Sequence, residues 1–319
     1  MFIVYLKILF NNRYCNLVFM KVLFITKLNL NYLITKIFLN RILRCFIFLT
    51  EETDMRQFIN FENQICLVTG TGSPTGIGFQ TAKILGELGG TVILVATTNR
   101  VDERVKELRN LNIKAAGYIA DLMDRNQVKE LVKNIINEYS KIDVLINNAG
   151  MAQVGYEEDF ATFNEVTYES WDDSINRNLN ITFNVTKEVL PHMTKNNYGR
   201  IVNTSSVTGP IVSNPGEAAY SAAKSAVIGM SRSIAIEVAK YNIMINNVLP
   251  GWIATASQTE SEAAGGENTP AGRGGSAEEV ANMNVFLASE KASYITGQAF
   301  IVDGGNTIQE YKGPKELYY

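Results

Sequence analysis

Val68-Thr69-Gly70-Thr71-Gly72-Ser73-Pro74-Thr75-Gly76-Ile77-Gly78 is the stretch that decides how this chain folds. An apolar run, Ile65–Thr69, leads into it, and a helical pattern from about Gly78 to Leu88 leads out. Glycine carries no Cβ, so a backbone built from it can approach a neighbouring group closely. The start of a helix offers unpaired N–H groups and the positive end of a dipole. Strand, Gly-rich loop and helix in that order therefore form a cradle for a pyrophosphate, and the expected ligand is a dinucleotide. Gly70, Gly72, Ser73, Gly76, Ile77 and Gly78 are the candidate contacts. The bland alternative is a tight strand-to-helix turn with no ligand.

Outward from that loop the same alternation repeats. Thr91–Ala96 reads as a strand, followed by a polar helix from about Val101 to Leu111. Ala115–Ala120 is a strand before a helix from about Asp124 to Tyr139, and Val144–Asn147 is a fourth strand. One long helix is expected from about Glu169 to Met193, then strand Gly199–Thr204, a helix carrying Tyr220, and strands Ile243–Val248 and Gln298–Val302. Near-continuous apolar strands separated by helices mean a parallel sheet covered on both faces. No repeat or low-complexity linker divides the pattern. The fold class is α/β, a single doubly wound, Rossmann-type sheet.

The end of the second strand bears on which dinucleotide binds. An acid there would hydrogen-bond a ribose 2′-OH and repel a 2′-phosphate. The chain instead has Thr97, Thr98 and Arg100, two hydroxyls and a guanidinium suited to a phosphate. NADP(H) is the preferred reading and NAD(H) the alternative; a solvated arginine at a helix start is the competing role for Arg100. After the third strand, Asp121 and Leu122 are placed to meet an adenine, and Asp121 also suits a turn or cap.

The 319 residues carry 46% apolar and 19% charged side chains, ordinary for a soluble globular protein. Residues 1–54 differ from the rest: they lack Gly and Ala, and their acids, Glu51, Glu52 and Asp54, fall at the end. Lys7, Arg13, Lys21, Lys27, Lys36, Arg41 and Arg44 interrupt every apolar run, which argues against a spanning helix, and no small-residue cleavage site marks a secretory signal. Upstream sequence with a functional start at Met55 is the favoured reading, and a membrane-associating extension the second. The expected division is a leader at 1–54 and a catalytic domain at 55–319.

Residues 55–319 hold 22 basic against 29 acidic residues, a formal charge of −7, which argues against nonspecific nucleic-acid binding. The core domain is likewise expected to have no membrane partner. Cys66 is the one cysteine of that body, so neither a disulfide framework nor a thiolate metal site is expected, and a cytoplasmic setting fits. The sole histidine, His192, offers no metal cluster, and no Gly-x-Ser-x-Gly elbow suggests a serine hydrolase.

Tyr220-Ser221-Ala222-Ala223-Lys224 places a phenol and an amine four residues apart, on one face of a helix. A nearby cation favours the phenolate and lowers the tyrosine pKa toward a range useful for proton exchange with an alcohol or carbonyl oxygen. Taken alone, such a pair is ordinary surface chemistry.

With these pieces in order, the chain resembles the short-chain dehydrogenase/reductase family, particularly its 3-oxoacyl-carrier-protein-reductase-like members. The resemblance runs from about residue 60 to 306. It rests on the Gly-rich loop, Asn147-Asn148-Ala149-Gly150, Asn178-Leu179, Ser205-Ser206-Val207, the Tyr220/Lys224 pair, Pro250-Gly251-Trp252-Ile253-Ala254-Thr255 and Val302-Asp303-Gly304-Gly305. It implies a catalytic tetrad of Asn178, Ser206, Tyr220 and Lys224: Ser206 orienting a carbonyl oxygen, Tyr220 exchanging its proton, Lys224 lowering the Tyr220 pKa and holding a ribose, Asn178 holding a relay water. It implies further cofactor contacts at Asn148, Gly150, Pro250, Gly251, Ile253 and Thr255, and a homotetramer packed through the helices of Asn178 and Tyr220.

Three features depart from the family pattern. The Gly-rich loop is two residues longer between Gly70 and Gly76, Ser206 and Tyr220 are fourteen rather than thirteen apart, so Ser205 stays open, and Met151–Thr167 is longer than usual. Ser213–Glu217 is expected to wall the substrate pocket and residues 256–275 to form a mobile lid. The resemblance implies a small-molecule carbonyl or alcohol as substrate. Acyl-carrier protein is a weakly supported partner because Arg200 and Lys240 are the only charges near its expected dock; a small ketone, a sugar or another carbonyl compound stays open. A cofactor-binding sensor without turnover would be expected to have lost the tyrosine, lysine or serine, and none is lost.

Overall fold

The computed structural model describes residues 58–150, 161–256, 258–310 and 313. The leader at 1–54, the proposed start at Met55 and residues 151–160 of the long Met151–Thr167 stretch lie outside the described residues.

β1 (Ile65–Thr69), β2 (Thr91–Ala96), β3 (Ala115–Ile119), β4 (Val144–Asn147), β5 (Gly199–Thr204), β6 (Ile243–Pro250) and β9 (Ala299–Val302) form one parallel sheet in the order β3-β2-β1-β4-β5-β6-β9. Because successive strand residues point to opposite faces, β1 divides its side chains between two cores. Cys66 and Val68 join α1 (Ile77–Glu87), α2 (Arg100–Asn110) and α8 (Ala277–Ala288) on one face. Ile65 and Leu67 join α3 (Arg125–Tyr139), α5 (Ile181–Asn196) and α6 (Ala218–Val238) on the other. This is the doubly wound arrangement expected from the sequence. Among the described residues, no helix is long and apolar enough to cross a membrane.

Local chemistry sets the element ends. Asp124 caps α3 by accepting from Asn126 N and Gln127 N, and Ser140 ends that helix in the left-handed region at φ 68°. Ser276 and Glu279 form a reciprocal capping box at the start of α8.

One element differs from expectation and another carries structure the sequence did not show. The long helix expected over Glu169–Met193 is two helices, α4 (Tyr168–Ile175) and α5, joined by a π-helical turn at Asn176–Asn180. An extra residue in one turn does not disturb helical periodicity enough to show in sequence. The 256–275 stretch, expected as a lid, contains α7 (Glu260–Glu267), capped by the Thr259/Glu262 box, and leaves from β7 (Ile253–Ala254) to return as β8 (Gly275–Ser276). α8 itself carries no sequence prediction, yet it packs on α1, where Asn284 Nδ2 donates to Thr81 Oγ1 at 3.1 Å.

The strand order reverses direction between β1 and β4. In an open parallel sheet that switch point leaves a crevice beyond the carboxyl ends of the strands. Here the Gly-rich loop after β1 faces Asn148–Gly150 after β4.

Candidate active site

The cleft at this switch point has a volume of about 1000 Å³. Its floor starts with Gly70, whose φ of +71° and contacts leave no room for a side chain: a Cβ there would stand 2.8 Å from Ala149 Cα. Asn148 stitches the two loops together, its Nδ2 donating to Thr69 O (3.3 Å) and Gly70 O (3.2 Å) and its N to Thr69 Oγ1 (3.0 Å). Gly78 lets α1 approach that junction; a Cβ there would stand 2.6 Å from Asn148 Nδ2. At the N-terminus of α1, Gly76 supplies no side-chain cap and the first turn holds no acid. Those N–H groups and the dipole end suit a pyrophosphate, and no acidic residue of the helix's first turn opposes one.

At the far end, Arg100 Nε donates to Thr98 Oγ1 at 3.1 Å, and the guanidinium lies against Gly72. Arg104, unnoticed in the sequence, also lines the cleft. It is buried, paired with Glu107 and Glu103, stacked 5.7 Å from the Phe79 ring centroid, and within 3.5 Å of Gly72 O. Its signal was present: Val101, Arg104, Val105 and Leu108 share the buried stripe of α2. Asp121 turns its carboxylate to Met123 N at 2.9 Å, so the turn role and a place on the cleft wall coexist.

The end of the cleft that holds the candidate catalytic residues is built on α6 and the segment after β5. Tyr220 and Lys224 are both buried on α6, with Lys224 Nζ 5.5 Å from the Tyr220 ring centroid and donating to Thr204 O at 3.3 Å. The two serines separate by geometry. Ser205 Oγ donates to Lys224 O at 2.8 Å, whereas Ser206 Oγ accepts from Thr208 N at 3.0 Å and keeps its own proton to donate. Asn178 sits in the π-helical turn, 1% exposed, its Nδ2 donating to Ser174 O at 3.1 Å.

Of the residues singled out in sequence, the cleft lining includes Gly70, Gly72, Ser73, Gly76, Ile77, Thr97, Arg100, Asp121, Leu122, Asn148, Gly150, Ser206, Tyr220, Lys224, Pro250, Gly251, Ile253 and Thr255. Gly78, Thr98 and Asn178 stand behind that surface: Gly78 supports the loop junction, Thr98 holds Arg100, and Asn178 backs Gly150. The lining also takes Trp252 of the Pro250–Thr255 segment, together with Arg177, Glu262, Asn268, Asn306 and Gln309, which no sequence signal marked individually. They come from segments without a shared motif and meet only through the fold. Ser213, Asn214 and Glu217 do form a wall, with Asn214 Nδ2 donating to Glu217 Oε1 at 3.1 Å. Among the described residues, no cluster of three or more His, Cys, Asp or Glu side chains could hold a metal ion. Cys66 is fully buried in β1, where desolvation pushes its thiol pKa up and away from reactivity.

The family model described as "Enoyl-(Acyl carrier protein) reductase" matches residues 70–307. The 3-oxoacyl-[acyl-carrier-protein] reductase FabG of Thermotoga maritima is 41% identical over 255 residues, covering 78% of this chain and all of that protein (100%). FabG of Escherichia coli K12 is 37% identical over 251 residues, covering 77% and 98%. Oxidoreductase UcpA of Salmonella typhimurium is 34% identical over 252 residues, covering 75% and 94%. Among solved structures, a "putative gluconate dehydrogenase" from Agrobacterium tumefaciens superposes with a TM-score of 0.72 at 28% identity, covering 78% of this chain and 97% of that one.

Proposed function

The chain belongs to the short-chain dehydrogenase/reductase family of NAD(P)-dependent oxidoreductases that interconvert CH–OH and C=O, and from that premise we propose that it is an NADPH-preferring reductase of 3-oxoacyl thioesters working through Ser206, Tyr220, Lys224 and Asn178. The observation that carries the proposal is the burial of Tyr220 and Lys224, side by side, in the same cleft whose other end is the Gly-rich loop.

The bare N-terminus of α1 and the side-chain-free approach at Gly70 fit a dinucleotide pyrophosphate. The nicotinamide, when bound, supplies the hydride in the reductive direction or accepts it in the oxidative one. Ser206, with its proton available, hydrogen-bonds the carbonyl oxygen and fixes it next to the Tyr220 hydroxyl. Tyr220 donates its proton to that oxygen as the alcohol forms, or removes it in reverse. The Lys224 cation stabilises the phenolate left behind. Asn178 orders the approach of Lys224 to solvent from behind Gly150. Arg100, oriented by Thr98, supports NADPH over NADH because a guanidinium pairs with a 2′-phosphate through charge-assisted hydrogen bonds.

The thioester substrate rests on the FabG relatives at 37–41% identity. A second reading, a hydroxylated carbonyl compound such as a keto sugar, draws on the polar wall of Ser213, Asn214 and Glu217. A paired NADPH and NADH oxidation screen against 3-oxoacyl thioesters, small ketones, quinones and keto sugars tests both, with Tyr220→Phe as control. Fastest turnover of a thioester with NADPH, lost in Tyr220→Phe, is the expected result. Exclusive use of keto sugars would replace the thioester assignment. Equal inactivity of wild type and Tyr220→Phe toward every carbonyl would overturn the proposal.

A further inference from the structure

Thr75 stands in the Gly-rich loop, in the Gly70–Gly76 stretch that is two residues longer than the family pattern. Its Oγ1 accepts a hydrogen bond from Ala256 N at 3.2 Å, joining segments 181 residues apart. Those segments are opposite lips of the cleft: Ser73, Pro74 and Gly76 line one, Thr255 and Ala256 the other.

Neither side is a free strand of chain. On the loop side, Gly76 N donates to Ser73 O (3.2 Å) and Gln80 Nε2, from α1, donates to Pro74 O (2.9 Å), so the tip is fixed from below. On the other side, the excursion containing α7 departs from and returns to one stem. Ile253 pairs with Gly275, Ala254 with Ser276, and Gly275 N donates to Trp252 O at 2.8 Å. α7 itself lies on Trp252, where a Cβ at Gly265 would stand 2.8 Å from the indole Cε2. Ala256 is therefore one of the first residues beyond the stem, and Thr75 reaches it from across the cleft.

We infer that Thr75 is a positioning residue for the dinucleotide: its hydroxyl latches the start of the α7 excursion over the cleft mouth and slows cofactor release. This rests on the cofactor reading proposed above. A fixed acceptor meeting a fixed stem costs little entropy to engage, and a latch that must open before release acts on the dissociation rate. A single neutral hydrogen bond on an exposed rim sets the scale at about three- to tenfold.

The test uses full-length Thr75→Val, which keeps the shape and removes the hydroxyl, and Thr75→Ser, which keeps the hydroxyl. NADPH binding is followed by fluorescence titration and stopped-flow displacement, with the Tm of the unliganded proteins alongside. Thr75→Val is expected to raise both Kd and the dissociation rate about three- to tenfold, and KM for NADPH with them. Thr75→Ser is expected to stay within about twofold of wild type, and the Tm values to coincide. Wild-type-like release from Thr75→Val overturns the latch alone. So does an equal loss in both variants accompanied by lower Tm, which marks a structural role. A wild type that binds neither NADPH nor NADH overturns the cofactor reading and the latch together.

Discussion

The ammonium of Lys224 and the carboxamide oxygen of Asn178 close on the same side of Gly150: a Cβ added there would stand 3.3 Å from Nζ and 3.4 Å from Oδ1. Both groups are buried, so neither withdraws to solvent at no cost. Gly150 is thus a spacer that lets a helix cation on the cleft wall and a side chain of the π-helical turn behind it approach one another. Gly150→Ala is expected to push Lys224 Nζ aside by a few tenths of an ångström and lower kcat about tenfold, since small misplacements at a reacting centre carry large rate effects. The Tm should change little, because a flexible amine end can yield where backbone could not. Steady-state kinetics with the Tm measured in parallel check this; unchanged kcat would mean that the spacing behind Gly150 does not matter to the reaction.

Arg100 carries the expected choice of cofactor. Its guanidinium lies beside Gly72 and is oriented by Thr98 Oγ1. Charged hydrogen bonds contribute about 1.5–3 kcal/mol each, so Arg100→Ala is expected to raise KM for NADPH about ten- to a hundredfold. KM for NADH should move by less than about threefold, because its 2′-OH offers no phosphate to lose. The ratio of the two kcat/KM values reads the outcome, and a parallel loss with both cofactors would remove Arg100 from the discriminating role.

What the sequence made legible followed from contrast along the chain. β2, β4 and β5 have the boundaries expected from their apolar runs, because each is a short buried run flanked by polar turns. α8 escaped because a helix buried on several sides has little polar face to set its period: Val280, Ala281, Val285, Leu287 and Ala288 are all buried. Arg104 was hidden by its charge, although its position on the stripe of α2 predicted burial. At the site, Tyr220 and Lys224 were legible because i and i+4 are local. The bond from Ala256 to Thr75 was not, since no local pattern couples residues so far apart.

Three asparagines occupy one register line across the sheet, Asn147 on β4, Asn203 on β5 and Asn247 on β6. Asn147 Nδ2 donates to Asn203 Oδ1 at 2.8 Å, and Asn203 Nδ2 donates to Ser231 Oγ of α6 at 2.9 Å. The line ties the strand behind Asn148–Gly150 to the helix carrying Tyr220 and Lys224. Asn203→Ala would strand buried partners on both sides and is expected to cost about 2–3 kcal/mol. Urea unfolding checks this by its midpoint, with the m-value constant. A loss under about 0.5 kcal/mol would mean that the neighbours re-pair or admit water.

Acid dependence should arise where the α7 excursion returns to the body. Glu279 accepts from Arg273 NH1 (2.8 Å) and NH2 (2.7 Å) and from Ser276 N (2.7 Å) at the start of α8. The Arg273 hydrogen bonds foremost, then the Ser276 amide, hold the Glu279 carboxyl down to about 2. A carboxyl depressed in the folded state stabilises the fold fully above its unfolded pKa of about 4.3, and that contribution fades as pH falls toward the folded value. Both side chains are largely exposed, so screening limits the effect, and Glu279→Gln is expected to lower Tm by only about 2–4 °C at pH 7. Scanning fluorimetry from pH 7 down to about pH 3 should show that gap steady above the unfolded pKa and narrowing below it. A gap that stays constant through the whole range would assign the stabilisation to the shape of the capping box rather than to the carboxylate charge.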